Sequence, residues 1–287
     1  MIPASELIIN TDGSIYHLNI MPEDLANTVI TVGDPDRVAE VSKYFDHIEL
    51  KKGKREFITH TGTIQGKRIS VISTGIGTDN IDIVLNELDA LVNIDFQSRE
   101  PKSDMISLDI IRVGTSGAVQ ADLPMGTILA SEVGIGFDAL MQYYKRTLSA
   151  LETEIQHEIG QQFPDLHFQP YVAQASDKLL KQFASDLPKG MTATAPGFYG
   201  PQGRALRTQN VYPDFINKIN RFRVGDRRIT NLEMETAGIY AMAAALGHHA
   251  LSINAILASR VNATFSPDPQ KIVEKAIQYV LEKISYS

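Results

Sequence analysis

The sequence predicts an α/β fold built on a mixed sheet and organised as a single domain over residues 1–287. Three observations carry this expectation. Short β-branched or apolar runs alternate along the chain with stretches whose apolar residues recur at helical spacing. Several runs end at glycine-containing turns, at 33–37, 75–80 and 114–117, and loops at strand C-termini are where such sheets take up ligands. No composition shift, low-complexity tract or internal repeat marks a boundary between halves.

The elements follow in order. Residues 5–16 read as irregular, with a turn at Asp12-Gly13. A short helical start at Met21-Pro22-Glu23-Asp24-Leu25 precedes the run Val29-Ile30-Thr31-Val32, which enters Gly33-Asp34-Pro35-Asp36-Arg37. Val38, Val41 and Phe45 then share a helical face. Residues 51–60 and 63–74 read as a hairpin around Gln65-Gly66-Lys67. Its second arm ends at Gly75-Ile76-Gly77-Thr78, after which Ile81, Val84, Leu85, Leu88, Leu91 and Val92 line one side of a helix. Residues 95–104 form a loop, and a strand over 106–113 meets Gly114-Thr115-Ser116-Gly117. Another run covers 127–133, residues 139–160 are helical, and 170–175 form a short strand. A helix over 176–187 starts at a Ser176 cap. Residues 197–204 (GFYGPQGR) are a glycine-rich loop with two aromatics, and 215–222 are helical. Residues 229–232 lead into a helix over 233–246, which Gly247 stops. A strand over 250–258 and a helix over 269–284 close the chain.

Composition narrows the function classes. Lys and Arg number 27 against 34 Asp and Glu, a net charge of −7, so a generally basic nucleic-acid surface is not expected. A small anion can still bind where arginines converge, because the local field outweighs the net charge. With no cysteine, disulfides, thiolate nucleophiles and thiolate metal sites are excluded. No apolar run approaches the roughly 20 residues of a spanning helix. The start MIPASELIINTDGS lacks the layout of a signal peptide, so a cytoplasmic protein is the expectation.

Particular stretches point to chemistry. At 33–37 a strand, a glycine turn, a helix start and Arg37 suit an anion such as phosphate, and equally an ordinary strand-to-helix turn. Arg112 sits inside a β run, where a guanidinium is costly unless paired. With the small residues after it, it could hold a tetrahedral oxyanion, or it could form a structural ion pair. Glu233 and Glu235 at a helix start complement the helix dipole, yet the two oxygens of Glu235 would also match vicinal sugar hydroxyls. Phe198, Gln202 and Arg204 combine a stacking plate with donors able to read a pyrimidine edge. Gly75-x-Gly77-x-x-Asn80 is a near miss to the dinucleotide fingerprint and reads better as an active-site wall. His248-His249 is rejected as a metal site, since adjacent residues rarely face one ion and no acid partner is evident, and His157 reads as surface.

Taken together, VGDPDRV (32–38), KREF (54–57), STGIG (73–77), IRVGTSGAV (111–119) and LEMETAG (232–238) resemble the nucleoside phosphorylase family in order and spacing, over most of the chain. The resemblance implies a three-layer α/β/α sandwich around a mixed, partly barrel-like central sheet. It implies that Gly33, Arg37, Arg112 and Thr115 bind phosphate, with Arg55 reaching phosphate and His17 the ribose 5′-hydroxyl from a neighbouring subunit. Met234 and Glu235 would hold the ribose, while Phe198, Gln202 and Arg204 would hold the base. Arg204, Gln202, Arg112 and Glu235 are the expected catalytic set, with Arg260 behind the base loop. FYGPQGR is similar to the base loop of the uridine-cleaving members. The acid that purine-cleaving members carry after the last core strand is absent from 257–262. The implied reaction is reversible phosphorolysis of uridine, deoxyuridine or thymidine. Purine phosphorolysis, hydrolysis by a nucleosidase and an inactive nucleoside-binding protein are the alternatives. No cofactor and no metal are expected, phosphate being a co-substrate, although a monovalent cation near Glu56 at the subunit interface fits the family. The expected partners are nucleoside and orthophosphate, with no nucleic acid or membrane. The expected assembly is a homo-oligomer with shared sites, a dimer at minimum and up to a hexamer. Two features depart from the family pattern: Ser259 precedes Arg260 where Asn is usual, and the 86–107 stretch is long, as in dimeric animal enzymes.

Overall fold

The β-branched run β1 (Thr28–Val32) enters α1 (Pro35–Ser42), as its pattern requires. A meander of β2 (His47–Lys54), β3 (Phe57–Ile64) and β4 (Lys67–Ser73) leads into α2 (Thr78–Asn93). The small pair β5 (Ile94–Asp95) and β6 (Glu100–Pro101) precedes β7 (Asp109–Ala118). Then come β8 (Ile128–Gly136), α3 (Ala150–Gln162), β9 (Tyr171–Gln174), α4 (Asp177–Phe183) and β10 (Lys189–Thr194). The chain ends with α5 (Phe215–Arg221), β11 (Arg223–Val224), β12 (Arg227–Glu233), α6 (Thr236–Leu246), β13 (His249–Ser259), β14 (Thr264–Phe265) and α7 (Pro269–Ser285). The structure, a computed structural model, describes residues 1–286.

The main sheet runs β11-β12-β10-β8-β13-β7-β1-β4-β3-β2, and β12 also pairs with β7. That extra pairing closes β7, β13, β8, β10 and β12 into a barrel-like ring, from which β1, β4, β3 and β2 extend as an open wing. β1, β4, β7 and β13 are parallel neighbours, whereas β12 meets β7 antiparallel at Leu232↔Gly117 and Asn231↔Ala118. This seam brings the end of β12 against the C-terminal half of β7. Helices flank the sheet in two packed pairs, α2 with α6 and α4 with α7. α6 is buried from Thr236 to Ala243, whereas α7 buries only the face carrying Val273, Ala276, Ile277, Val280, Leu281 and Ile284. No helix among the described residues is long and apolar enough to cross a membrane.

Several expected elements differ. The arm expected at 51–60 is two strands, because Arg55 makes the turn between β2 and β3 in the left-handed region at φ 57°. That conformation is rare for a residue with a Cβ, so composition gives no warning of it. The expected turn at 114–117 is strand: β13 pairs with β7 along its length and satisfies its backbone. The helix expected over 139–160 is one turn at Leu140–Gln142, then irregular chain, then α3. A capping box between Ser149 and Glu152 sets the start of α3. The helix expected from 233 begins at Thr236, because β12 runs on to Glu233. Ser176 occupies the N-cap position of α4 without a side-chain capping bond; its hydroxyl instead faces His249 Nδ1 at 3.1 Å. The loop expected over 95–104 includes β6, which pairs with β5. β10 was not expected at all: Gly, Thr and Ala dominate a strand that is buried from Gly190 onward. His248 does have an acid nearby, Asp89 at 3.3 Å, but His249 faces Ser176 instead, so the two rings serve different neighbours. His157 is exposed, as expected.

Candidate active site

The seam between β7 and β12 opens onto a cavity of about 910 Å³. The turns after β1 and β4, the middle of β7, the end of β12 and the loop after β10 all reach it. Of the residues expected in a site, Gly33, Arg37, Arg112, Thr115, Phe198, Gln202, Arg204, Met234 and Glu235 line this one cavity.

Arg112 is its electrostatic centre. The residue is only 5% exposed, and its Nη2 lies 2.5 Å from Glu235 Oε2 and 3.1 Å from Glu233 Oε2. Its Nη1 donates to Asn254 Oδ1 at 3.3 Å. Gly114, two residues on and on the same face of the strand, makes room for it: a Cβ there would lie 1.5 Å from Nη1. Burial works against the charge of Arg112, but Glu233 and Glu235 outweigh it and hold the guanidinium pKa above its ordinary value.

The two carboxylates divide their work. Glu233 accepts the backbone N–H groups of Glu235 and Thr236, so it caps the start of α6. Glu235 accepts the N–H of Gly77 at 2.8 Å as well as the bond from Arg112. Gly77 presents that N–H from a backbone at φ 96°, which a residue with a Cβ resists. Burial raises the pKa of Glu235, and Glu233 adds to the rise against the pull of Arg112.

The opening turn holds a correction. Gly33 is not among the glycines with positive φ. The first helical residue of α1 is Pro35, which has no N–H to offer. The Asp36 N–H donates to the Asp34 carboxylate at 3.0 Å, and the Arg37 N–H to the Asp34 carbonyl at 3.1 Å. The N–H groups of Asp36 and Arg37 are therefore used, and the turn presents Gly33 and the Arg37 side chain to the cavity. Burial lowers the pKa of Arg37, and nearby Arg112 lowers it further.

Across the cavity, the loop after β10 carries Phe198, Gln202 and Arg204. Arg204 Nη1 donates to the Phe198 carbonyl at 2.6 Å and to Gln202 Oε1 at 2.5 Å. Its guanidinium carbon lies 3.8 Å from the Phe198 ring centroid, so it covers one face of that ring. Behind the loop, Arg260 donates to the Gln202 carbonyl at 3.0 Å, the placement the resemblance implied.

His17 and Arg55 do not line this cavity. His17 Nδ1 lies 2.7 Å from Glu87 Oε1, while Arg55 is exposed at the β2–β3 turn, beside the cavity-lining Glu56. Sequence reasoning missed Asp34, which the cap signature Asp-Pro could have flagged, and Phe265, which carried no signal. Among the described residues, no group of three or more His, Asp or Glu side chains is placed to hold a metal ion.

Fold and site together define an α/β enzyme in which a charged wall and an aromatic loop face one cavity. The profile of the phosphorylase superfamily matches residues 27–284, and the chain belongs to that superfamily as a member of its nucleoside phosphorylases, which are pentosyltransferases. It is 29% identical over 279 residues to a uridine phosphorylase of Thermococcus kodakarensis, covering 94% of this chain and 88% of the relative. A Trypanosoma brucei nucleoside phosphorylase described as showing uridine phosphorylase activity superposes with a TM-score of 0.87 at 29% identity, covering 98% of this chain and all of the other. A DeoD-type purine nucleoside phosphorylase of Bacillus thuringiensis is 27% identical over 238 residues, 83% of each chain.

Proposed function

We propose that this enzyme is a uridine phosphorylase. It converts uridine and orthophosphate reversibly to uracil and ribose 1-phosphate, and it acts on deoxyuridine or thymidine in the same way. The observation that carries the reading is that Arg37 and Arg112, Glu235, and the Phe198-Gln202-Arg204 set share one cavity. An anion, a pair of vicinal hydroxyls and a planar base are what those three groups suit. The resemblance to two proteins with uridine phosphorylase names or activity supports it.

In this mechanism the glycosidic bond stretches first. Phosphate, held by arginines beneath the anomeric carbon, stabilises the cationic sugar by charge and position. Glu235, with Met234 beside it, fixes the ribose hydroxyls. Negative charge gathers on the uracil oxygens as the bond breaks. Arg204 and Gln202 donate to that charge and so bind the transition state more tightly than the substrate.

A charge count supports shared sites. Arg37, Arg112 and Arg204 on the cavity wall face Asp34, Glu56, Glu233 and Glu235, so an arriving phosphate dianion needs further positive charge. Arg55, exposed at its turn, supplies it from a neighbouring subunit, and His17 reaches the ribose from the same side. Mixing inactive Arg55→Ala and Arg112→Ala chains is expected to restore part of the activity. Mixed oligomers that form and stay inactive would refute the sharing.

The reading is tested by a nucleoside panel, with and without phosphate, read by released base. Phosphate-dependent release of uracil is expected. Release from inosine but not uridine, release without phosphate, or no release would each overturn it.

A further inference from the structure

A second cavity, of about 630 Å³, lies against the loop after β10. That size is within the range of small-molecule sites. Phe137, Phe168, Tyr212 and Phe215 give it aromatic walls, and Phe137 meets Phe215 edge to face with ring centroids 5.2 Å apart. Arg204 and Arg207 line it as well, and its lining includes no Asp or Glu. Arg207 has no hydrogen-bond or ion-pair partner among the described residues. The side-chain bonds of Arg204 go only to neutral oxygens, those of Phe198 and Gln202. Uncompensated positive charge therefore stands beside an apolar, aromatic space. Such a space favours a ligand that brings rings and a negative charge together.

We propose that this cavity is a second ligand site for a flat aromatic anion, with the four rings as its walls and Arg207 and Arg204 as its charge partners. Arg204 lines both cavities. An anion in the second draws its guanidinium away from Phe198 and Gln202, so the two sites oppose each other. The opposition rests on the proposed nucleoside site, whereas binding at the second cavity does not.

The test compares two probes of the same ring system in fluorescence titrations of the full chain. One is 1-anilinonaphthalene-8-sulfonate, and the other is the neutral N-phenyl-1-naphthylamine. Saturable binding is expected, with the sulfonate favoured about tenfold or more, as one charge-assisted contact gives. Arg207→Ala is expected to erase most of that preference and leave the neutral probe unchanged. Thr208→Trp, which puts bulk into the lining, is expected to weaken both probes. Where that variant fails to fold, Arg207→Ala alone carries the comparison. Saturating uridine and phosphate are expected to weaken the sulfonate, and the sulfonate to weaken uridine binding by the same factor. Equal affinity for the two probes overturns the proposal. So does sulfonate binding that ignores both variants and disappears with uridine, because the probe would then sit in the first cavity. A chain that releases no base from any nucleoside sinks the functional reading but leaves the probe titrations and their variants to decide this one.

Discussion

Arg112 and Arg204 are arginines on the wall of one cavity, yet their surroundings differ in kind. Arg112 lies between two buried carboxylates on a strand paired on both sides, over a glycine that leaves it room. Arg204 lies on a loop, bonded to neutral oxygens and stacked on a phenylalanine that is 51% exposed. Burial, with the positive charge of Arg260, lowers its pKa to about 10, whereas that of Arg112 is raised. The barrel seam thus fixes one set of charges before any ligand arrives. The loop holds its polar groups on one another, and the proposed base would have to take them over. Chemistry common to a superfamily suits the first arrangement, and selection among bases suits the second.

The largest expected effect tests the seam. Removing one partner of a buried ion pair costs about 3–5 kcal/mol, because the other charge is left buried alone. Arg112→Met leaves Glu233 and Glu235 facing each other, so denaturant unfolding should show a loss of that order, together with loss of phosphorolysis. A variant as stable as the parent would mean that the seam is not held by this pair, and the contrast with the loop would fail.

Arg204→Ala is the matching test on the loop. Losing one donor to developing negative charge typically costs about 100- to 1,000-fold in turnover. The loop holds no buried ion pair, so the unfolding free energy should stay within about 0.5 kcal/mol of the parent. Turnover on uridine and the unfolding midpoint check the two halves separately. Unchanged turnover would remove Arg204 from the base site.

A third test uses pH. Burial and Glu233 raise the pKa of Glu235 above 4.5. Its folded form therefore holds a proton more tightly than the unfolded chain does. The stability it contributes is present below the unfolded value and lost as pH rises through the folded one. Activity has the opposite sign, because only the carboxylate can accept two hydroxyls. The kcat/KM profile for uridine should show an acid limb above the ordinary glutamate range, and Glu235→Gln should be slower and lack that limb. A limb that persists in the variant belongs to another group.

The two regions also differ in how far the sequence discloses them. β1 and its turn are legible because β-branched residues run straight into Asp34-Pro35, a local signal. Arg112 is legible as an anomaly, an arginine in an apolar run. The continuation of its strand past Val113 is not, because β13, which carries β7 through Gly117, lies about 140 residues away and leaves no local mark. Glu233 and Glu235 both meet Arg112, and only the seam decides that one also caps α6 while the other also takes the N–H of Gly77. The loop is the reverse case. Its composition singles out Phe198, Gln202 and Arg204, but nothing local tells that Arg204 covers Phe198 or that a second cavity adjoins it. β10 escaped notice because small buried residues carry neither period, and the turn at Arg55 because it uses no glycine.

The smallest expected effect lies at the rim, at the turn after β1. Asp34 caps α1 with its side chain and stands near Arg37, whose charge it supports. If the turn serves an anion through Arg37 alone, the carboxylate of Asp34 opposes that anion. Asn caps a helix about as well as Asp does, so Asp34→Asn removes the charge and keeps the cap. Near a protein surface one such charge is worth about 1 kcal/mol. The KM for phosphate should therefore fall about two- to fivefold, with the unfolding midpoint unchanged. A KM that does not move would place the anion away from Arg37. A KM that rises would mean that Asp34 holds Arg37 in the position phosphate needs, and the rim would then belong with the fixed charges of the seam.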